Sequence, residues 1–447
     1  MLSLTLKETA GILDAVLDGH DLSYVGCSID SRNVRNGSLF IAIEGERFDG
    51  HDFVEAAANQ GALAALISQA RRFSLPTIRV DNTIAALGKL AGHWRSGFSV
   101  PLIAITGSNG KTTVKEMLAA ILKCSHRVLA TRGNLNNEIG APLTVASLDD
   151  SHEHVIIELG ANHPGEIGRL TRMSQPSVGV ITLCAPAHLE GFGSEEGVAR
   201  AKGELFAEMP ADGCAVINAD DSYASLLQGM AGSRRCIRFS LQKNVEVSGE
   251  WHAAGTAGEL RIRTPLGDLD ARIAFPGKHN GANALAAVAG AVAVGASVDD
   301  IQAGLESARP VSGRLQSKSA ANGAAIIDDT YNANPSSLKA GLEVLAACDT
   351  PRWLVLGDMA ELGKEAEKYH QDVAEIARHH HVSRLFTTGD LSRLAAERFG
   401  RGAAHFDSQD ALVDALQSEL PADATVLVKG SRSMGMERVV TALTGEG

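Results

Sequence analysis

Residues 103–117 read IAITGSNGKTTVKEM, and the fold turns on this stretch. The apolar run Leu102–Ile105 reads as a short buried strand, Thr106–Gly110 as a tight turn, and Lys111 onward as a helix. A strand, a glycine turn and a helix opening on Gly-Lys-Thr form a phosphate cradle. Gly107 and Gly110, with Ser108 and Asn109 between them, let backbone N–H groups approach phosphate oxygens. Lys111 is then expected on the β- and γ-phosphates. The Thr112 hydroxyl is expected on a Mg²⁺ ion, with Thr113 beside it. The spacing departs from G-x-x-x-x-G-K-[ST]: the position five before Gly110 is Ile105, so Gly107 makes the early turn of a shortened variant.

Outward from the cradle, 447 residues are too many for one ordinary core. Apolar content of 45% with 21% charged residues marks a soluble globular chain. A net charge of −12 argues against general nucleic-acid binding, so an anionic nucleotide must be held by local positive charge and N–H groups. The six cysteines are scattered without a C-x-x-C pair, which excludes a zinc ribbon or thioredoxin motif and fits a reducing compartment. There is no signal-peptide pattern and no apolar run of membrane length, so a cytoplasmic enzyme without membrane insertion is expected.

Three domains are expected: 1–97, 98–308 and 309–447. In the first, strands at 39–43 and 77–80 flank a helix over 53–65. A polar loop carries Gly45, Asp49, Gly50 and His51, with Ser31-Arg32 upstream; turn chemistry and ligand binding are both open there. In the second, strand-like runs at 102–106, 155–159, 178–182 and 214–218 alternate with helical segments. This predicts a mostly parallel sheet with ligands at the carboxyl ends of its strands. Glu158 and His188 fall at such ends. Glu158 suits Mg²⁺ or a helix cap, and His188 suits a ligand or a loop hydrogen bond. Lys202, in a helix of alternating charge, reads by itself as a solvated lysine. Residues 245–274 alternate like antiparallel strands and read as a small added sheet, and Asn280 and Asn283 follow at a helix start, as caps or purine readers. The third domain again alternates strands and helices. KGSRSMG (429–435) is either an anion nest or a helix start capped by Ser433, and His379–His381 reads as a solvated helix end.

Taken together, DSRNVRNGSLFIAIEGERFDGHDF, TGSNGKTTVKEM, TRGNLNNEIGAPLT, IIELGANHPGEI, AHLEGFGSEEGVARAKGELF, GKHNGANALAAVA, DDTYNANPSSLKAGL, LGDMAELG and KGSRSMGMERVV resemble the Mur ligases of peptidoglycan synthesis, over nearly the whole chain and in family order. GNLNNEIG, DDTYNANPS and LGDMAELG resemble the branch that adds D-alanyl-D-alanine to a UDP-N-acetylmuramoyl-tripeptide. The DNPR-type motif of the ligase that adds diaminopimelate or lysine is absent. The resemblance implies an α/β enzyme with a central P-loop domain, a small N-terminal domain for the UDP-sugar and a Rossmann-like C-terminal domain for the amine. It also implies amide synthesis from ATP through an acyl phosphate; a monomer is the default expectation. Gly107 to Thr113 match the ATP loop, and Asn280, Arg314, Asp329, Tyr331 and Asn334 match residues closing on the nucleotide. Thr112 and Glu158 match one Mg²⁺ site; His188 and Lys202, as a CO₂-derived carbamate, match a second. Lys111, Glu158, His188 and Lys202 are thus the expected catalytic set. Ser31, Arg32, Gly45, Asp49 and His51 match the UDP-sugar loops, and Asn134, Asn136 and Asn137 the loop facing the peptide. Without ligands the third domain is expected to stand open.

Overall fold

The computed structural model describes all residues except 46–47, 255–256, 349 and 446–447. A nine-stranded sheet forms the centre. Its order from one edge is Gly267–Ile273, Ala257–Thr264, Val247–Ala254, Arg235–Ser240, Cys214–Asn218, Val178–Ile181, Leu102–Thr106, His154–Glu158 and Val128–Ala130. The strands from Val128–Ala130 to Val247–Ala254 run parallel, and the last two are antiparallel. Strand Leu102–Thr106 is buried on both faces, which explains its unbroken apolar run.

The expectation of a separate small sheet over 245–274 is corrected. Val247 pairs with Phe239 and Ser248 with Ser240, so the hairpins extend the central sheet. Their alternating residues Leu260, Ile262, Leu269, Ala271 and Ile273 join one core with helix Lys278–Ala293. That helix is almost all alanine, glycine and valine on its buried side, which lets it lie close to the strands. Burial of this common apolar face, at ~25 cal/mol per Å², is what draws the hairpins onto the larger sheet.

In the N-terminal part, a five-stranded sheet is built from residues 16–79. The helix expected over 53–65 is shorter, Val54–Asn59, and Ala64–Ile67 is a fully buried strand. Gly61 at φ +104° turns the chain, and the alanines beyond it pair with Leu39–Ile41 on one side and Thr77–Arg79 on the other. Tertiary burial overrides the helical preference of alanine here.

The C-terminal part carries a six-stranded sheet, with Thr425–Lys429 between Ala325–Asp329 and Arg352–Leu356. Its four buried central strands are sandwiched between helices, with a core on each face. Ser433 does not cap the last helix. It lies in the short turn Arg432–Met434, and the helix is Glu437–Thr444 with Met436 at the cap position. No described helix is long and apolar enough to cross a membrane.

The expected open arrangement is also corrected, because the C-terminal part rests on the phosphate cradle. Asn334 Nδ2 donates to Asn109 Oδ1 at 2.8 Å, and Arg314 Nη2 donates to Thr112 Oγ1 at 3.0 Å. The His188 ring and the Glu361 carboxylate meet across the same boundary.

Candidate active site

The cradle is assembled from the loop between strand Leu102–Thr106 and helix Lys111–Leu122. Gly107 has φ +148°, and a Cβ there would lie 2.0 Å from Thr182 Oγ1. Gly110 has φ +82°, and its Cβ would lie 2.2 Å from Asn283 Oδ1. Both positions therefore require glycine on conformation and on space. The loop is tied down from the neighbouring strand end: Ser108 N–H donates to Leu183 O at 2.7 Å and Ser108 Oγ to Ala185 O at 2.8 Å. Lys111 folds back so that Nζ donates to Gly107 O at 2.7 Å. Burial lowers the Lys111 pKa, while the Glu158 carboxylate opposes that shift and the Arg314 guanidinium adds to it.

Glu158 stands at the carboxyl end of the adjacent strand, buried, with both carboxylate oxygens engaged. Thr112 Oγ1 donates to Oε2 at 2.8 Å, and Asn136 Nδ2 donates to Oε1 at 2.7 Å. A hydroxyl and a carboxylate side by side at the mouth of a phosphate cradle are hard oxygen donors of the kind Mg²⁺ takes together with phosphate oxygens and water. The residues present fit one such ion. Among the described residues no group of three His, Cys, Asp or Glu side chains is already arranged to hold a metal.

These groups line a cavity of about 580 Å³ between the central and C-terminal parts. Of the residues singled out from sequence, Ser108 to Thr113, Asn134, Asn136, Asn137, Glu158, His188, Asn280, Arg314, Asp329, Tyr331 and Asn334 all line it. Arg314 stacks on the Tyr331 ring at 4.1 Å, which sets its guanidinium over Thr112. Its Nε is buried without a hydrogen-bond partner among the described residues. Asp329 is paired with Lys429, whose Nζ also donates to Asn332 O at 2.9 Å. Lys429 is thus a buried partner of a carboxylate and not part of an anion nest. Burial holds the Asp329 carboxyl above its ordinary range, with Lys429 pulling the other way. Asn334 caps helix Pro335–Ala346 through a reciprocal bond with Ser337 while reaching Asn109. Asn280 ties the turn before its helix, donating to Pro276 O at 2.8 Å and accepting from Asn283 at 3.0 Å.

His188 adopts the left-handed conformation at φ +51°, which points its ring into the cavity toward Glu361. Glu361 was not singled out from sequence; the AEL of GDMAELG gives no sign that it reaches another domain. Lys202 is not a solvated lysine. It is 1% exposed, with no hydrogen bond or ion pair to its ammonium among the described residues and the Phe192 ring 5.2 Å away. Burial first, and then the nearby Lys111 charge, bring its pKa down to about 7. His279 also lines the cavity and was missed; burial pushes its imidazole down to about 4. Its position one residue before Asn280 is the signal that could have marked it.

The first-domain residues stand apart from this cavity. His51 is 1% exposed: Nδ1 meets Asp49 Oδ1 at 2.6 Å, and Nε2 accepts the Ser68 N–H at 2.9 Å. Asp49 also accepts from His51 N and Gln69 Nε2, and these bonds hold its carboxyl down at about 2. His51 and Asp49 therefore form an internal clasp, and a ring with both nitrogens spent and no exposed surface does not face a ligand. Arg32 is exposed and chelates Asp30 at 2.9 and 2.8 Å, Ser31 is half-buried beside it, and Gly45 N–H donates to Phe48 O.

Three family models match the chain: "Mur ligase family, catalytic domain" over 23–95, "Mur ligase middle domain" over 105–291 and "Mur ligase, glutamate ligase domain" over 313–432. The UDP-N-acetylmuramoyl-tripeptide--D-alanyl-D-alanine ligase of Escherichia coli K12 is 42% identical over 451 residues, covering 100% of both chains. The crystal structure of MurF from Acinetobacter baumannii superposes with a TM-score of 0.93 at 32% identity, covering 99% of each chain. MurF of Thermotoga maritima in complex with ADP gives 0.84 at 28% identity, over 94% of this chain and 97% of that one. The fold, the cradle and these matches agree across the whole length, and the chain belongs to the Mur ligase family.

Proposed function

We propose that the chain joins D-alanyl-D-alanine to UDP-N-acetylmuramoyl-tripeptide at the expense of ATP, through an acyl phosphate, in the making of peptidoglycan precursors. The observation that carries the reading is the single cavity in which the cradle, Glu158, His188 and the C-terminal residues Arg314 and Asp329 converge. The full-length similarity to ligases of that name supports the choice of substrates. The ADP complex of the Thermotoga relative supports ATP as the nucleotide.

A carboxylate is a poor acyl donor at neutral pH. Phosphoryl transfer to the terminal carboxylate of the tripeptide supplies a leaving group, and the free amine of the dipeptide then displaces phosphate. Such a transfer needs positioning and charge stabilisation more than covalent help. Lys111, the N–H groups of the cradle and Arg314 are cations and donors aimed at the phosphates. Thr112 and Glu158 would hold one Mg²⁺, which when bound neutralises charge developing on the phosphoryl oxygens. His188 and Lys202 belong to a proposed second site. A lysine amine becomes an oxygen donor only as a carbamate, and CO₂ adds only to the neutral amine. The about 7 pKa of Lys202 supports that modification, since it leaves a large neutral fraction near neutral pH. Asp329 is proposed for the ribose hydroxyls, Asn280 for the adenine side, and Asn134 and Asn137 for the peptide.

In domain terms, 1–97 would take the UDP-sugar, 98–308 ATP, and 309–447 the amine. Ser31, Arg32 and Gly45 remain proposed contacts of the UDP end. A monomer acting in the cytoplasm, where ATP is available, is part of the same proposal. Closure of the C-terminal part on the cradle, where Asn334 meets Asn109 and Arg314 meets Thr112, would keep water from the acyl phosphate.

The test is phosphate release from Mg²⁺-ATP. Release that requires both UDP-N-acetylmuramoyl-tripeptide and D-alanyl-D-alanine, with a product heavier by the dipeptide, is expected. Release with a free amino acid in place of the dipeptide would move the chain to a sibling ligase. ATP binding without release under any pairing would sink the catalytic reading.

A further inference from the structure

Helix Lys111–Leu122 buries a lysine where an aliphatic side chain would be cheaper. Lys115 is 1% exposed, on the face that carries Val114, Met117 and Leu118 inward. Burying an ammonium is costly unless its hydrogens are spent on good partners. Nζ donates to Thr131 O at 2.8 Å and pairs with Glu116 Oε1 at 2.8 Å.

Thr131 is the residue at which the edge of the central sheet stops. The edge strand Val128–Ala130 pairs in parallel with His154–Glu158, and its last register is Ala130 with Ile156. Thr131 N–H still donates to Ile156 O at 3.0 Å, as the ladder requires. In a regular parallel ladder the next bond would run from Glu158 N–H to Thr131 O. It does not form. Thr131 O is turned to the Lys115 ammonium, and Glu158 N–H donates instead to the threonine hydroxyl, Oγ1, at 3.0 Å. The substitution of a hydroxyl for a carbonyl satisfies Glu158 and lets the main chain leave the sheet one residue early. Released there, the chain crosses the end of strand His154–Glu158. Asn136 O accepts Gly160 N–H at 2.8 Å, and Asn136 Nδ2 holds Glu158 Oε1 at 2.7 Å. A Cβ on Gly160 would come within 2.9 Å of Asn136 Oδ1, so the glycine admits this crossing.

We infer that Lys115 is a positioning residue of the ligase reaction: by capturing the Thr131 carbonyl it breaks the edge strand at Glu158, so that the Thr131 hydroxyl and Asn136 fix the main chain and carboxylate of Glu158 from two sides. The inference rests on the reading of Glu158 as the Mg²⁺ carboxylate of the ATP site. Thr131 and Lys115 touch neither nucleotide cradle nor peptide; they act through the orientation of Glu158.

The experiment titrates MgCl₂ into the full chain with β,γ-methylene-ATP and follows nucleotide binding by calorimetry, beside melting curves and steady-state kinetics. The variants are K115M, T131V, T131S and E158Q. Methionine keeps the stem volume of Lys115 without a donor; valine keeps the shape of threonine without a hydroxyl; serine keeps the hydroxyl. K115M and T131V are expected to raise the Mg²⁺ midpoint about tenfold or more and to lower kcat by a similar factor, the usual effect of removing a group that orients a metal ligand. T131S is expected within twofold of the wild type. Wild-type midpoints in K115M and T131V beside a shifted E158Q would overturn the positioning role, as would a lowered melting temperature with an unmoved midpoint. An unmoved midpoint in E158Q would instead overturn the metal reading of Glu158 itself. Should K115M fail to fold, T131V against T131S decides, because T131V removes the hydroxyl arm to Glu158 that Lys115 frees and T131S keeps it.

Discussion

Replacing Lys429 with methionine isolates the buried ion pair under the nucleotide site. The Lys429 side chain is 2% exposed and that of Asp329 is 13% exposed, and the two are in contact. Lys429 also donates to Asn332 O at 2.9 Å, so its loss leaves a carboxylate and a carbonyl short of a donor. Breaking a buried pair from one side typically costs about 3–5 kcal/mol, while replacing both partners by neutral groups is far milder. K429M is therefore expected to lose about 3–5 kcal/mol near neutral pH, and D329N/K429M to recover most of it. The sign of the pH dependence follows from the carboxyl. Burial already raises the Asp329 pKa, and Lys429 opposes the rise. A folded pKa above the unfolded one means that the folded state binds the extra proton, and that stability is lost as pH rises through the folded pKa. Without Lys429 the pKa climbs further, so the K429M defect should shrink as pH falls and grow as pH rises. Urea denaturation can read this part of the chain alone. The chain has three tryptophans, and only Trp353 lies in the C-terminal sheet, so a W94F/W251F background reports its unfolding. A K429M loss below about 1 kcal/mol at pH 7, or a defect that shrinks as pH rises, would refute the reasoning.

Gly110→Ala places a Cβ 2.2 Å from Asn283 Oδ1 at φ +82°. Strain of about 1–2 kcal/mol, added to the clash, should raise the KM for ATP roughly tenfold or more, with a smaller effect on the UDP-substrate. His51→Ala leaves the Ser68 N–H without its acceptor, which should cost about 1–3 kcal/mol in the N-terminal part, read by Trp94 fluorescence. Its KM for the UDP-substrate should change little once the folded fraction is taken into account; a large KM change with an unmoved melt would return His51 to the ligand. Growth of a carbamate carbonyl signal in the ¹³C spectrum under ¹³CO₂, absent in K202M, is expected from the buried amine of Lys202, with activity falling in CO₂-free buffer. A spectrum identical in the two proteins would remove the carbamate from the proposal.

The cradle was legible because its chemistry is local: glycine spacing, a lysine and a hydroxyl lie within seven residues of one another in IAITGSNGKTTVKEM, and Lys111 does begin the helix. The strand ends at Glu158 and His188 were legible from alternation, since parallel strands collect ligands at one edge. What escaped was everything set by partners distant in sequence. Lys202 sits in a run of charges that reads as solvated, yet the fold seals it beneath Phe192. His51 and Asp49 left ligand binding and turn chemistry both open because histidine and aspartate serve ligands and clasps alike; the Ser68 N–H and Gln69 are what distinguish the two. Ala64–Ile67 has the composition of a helix and the burial of a central strand. Lys429 in KGSRSMG has the spacing of an anion nest, and Asp329, 100 positions earlier, takes its charge.

The closed arrangement has a physical logic of its own. Groups suited to phosphate or metal are satisfied by one another. Lys111 is spent on Gly107 O, Arg314 on Thr112, Thr112 on Glu158, and Asn109 on Asn334. A buried polar group left unpaired costs about 1–3 kcal/mol, so these contacts avoid several such penalties at once. They also mean that ATP must exchange bonds and not merely make them. The gain on binding is then the difference between charge-assisted phosphate contacts and the neutral or backbone contacts they displace. Two of the bonds, Arg314 to Thr112 and Asn334 to Asn109, span the central and C-terminal parts. A nucleotide that takes over Thr112 releases Arg314 to follow the phosphates, and the same exchange that admits ATP thereby loosens and re-forms the boundary where the acyl phosphate must be kept dry.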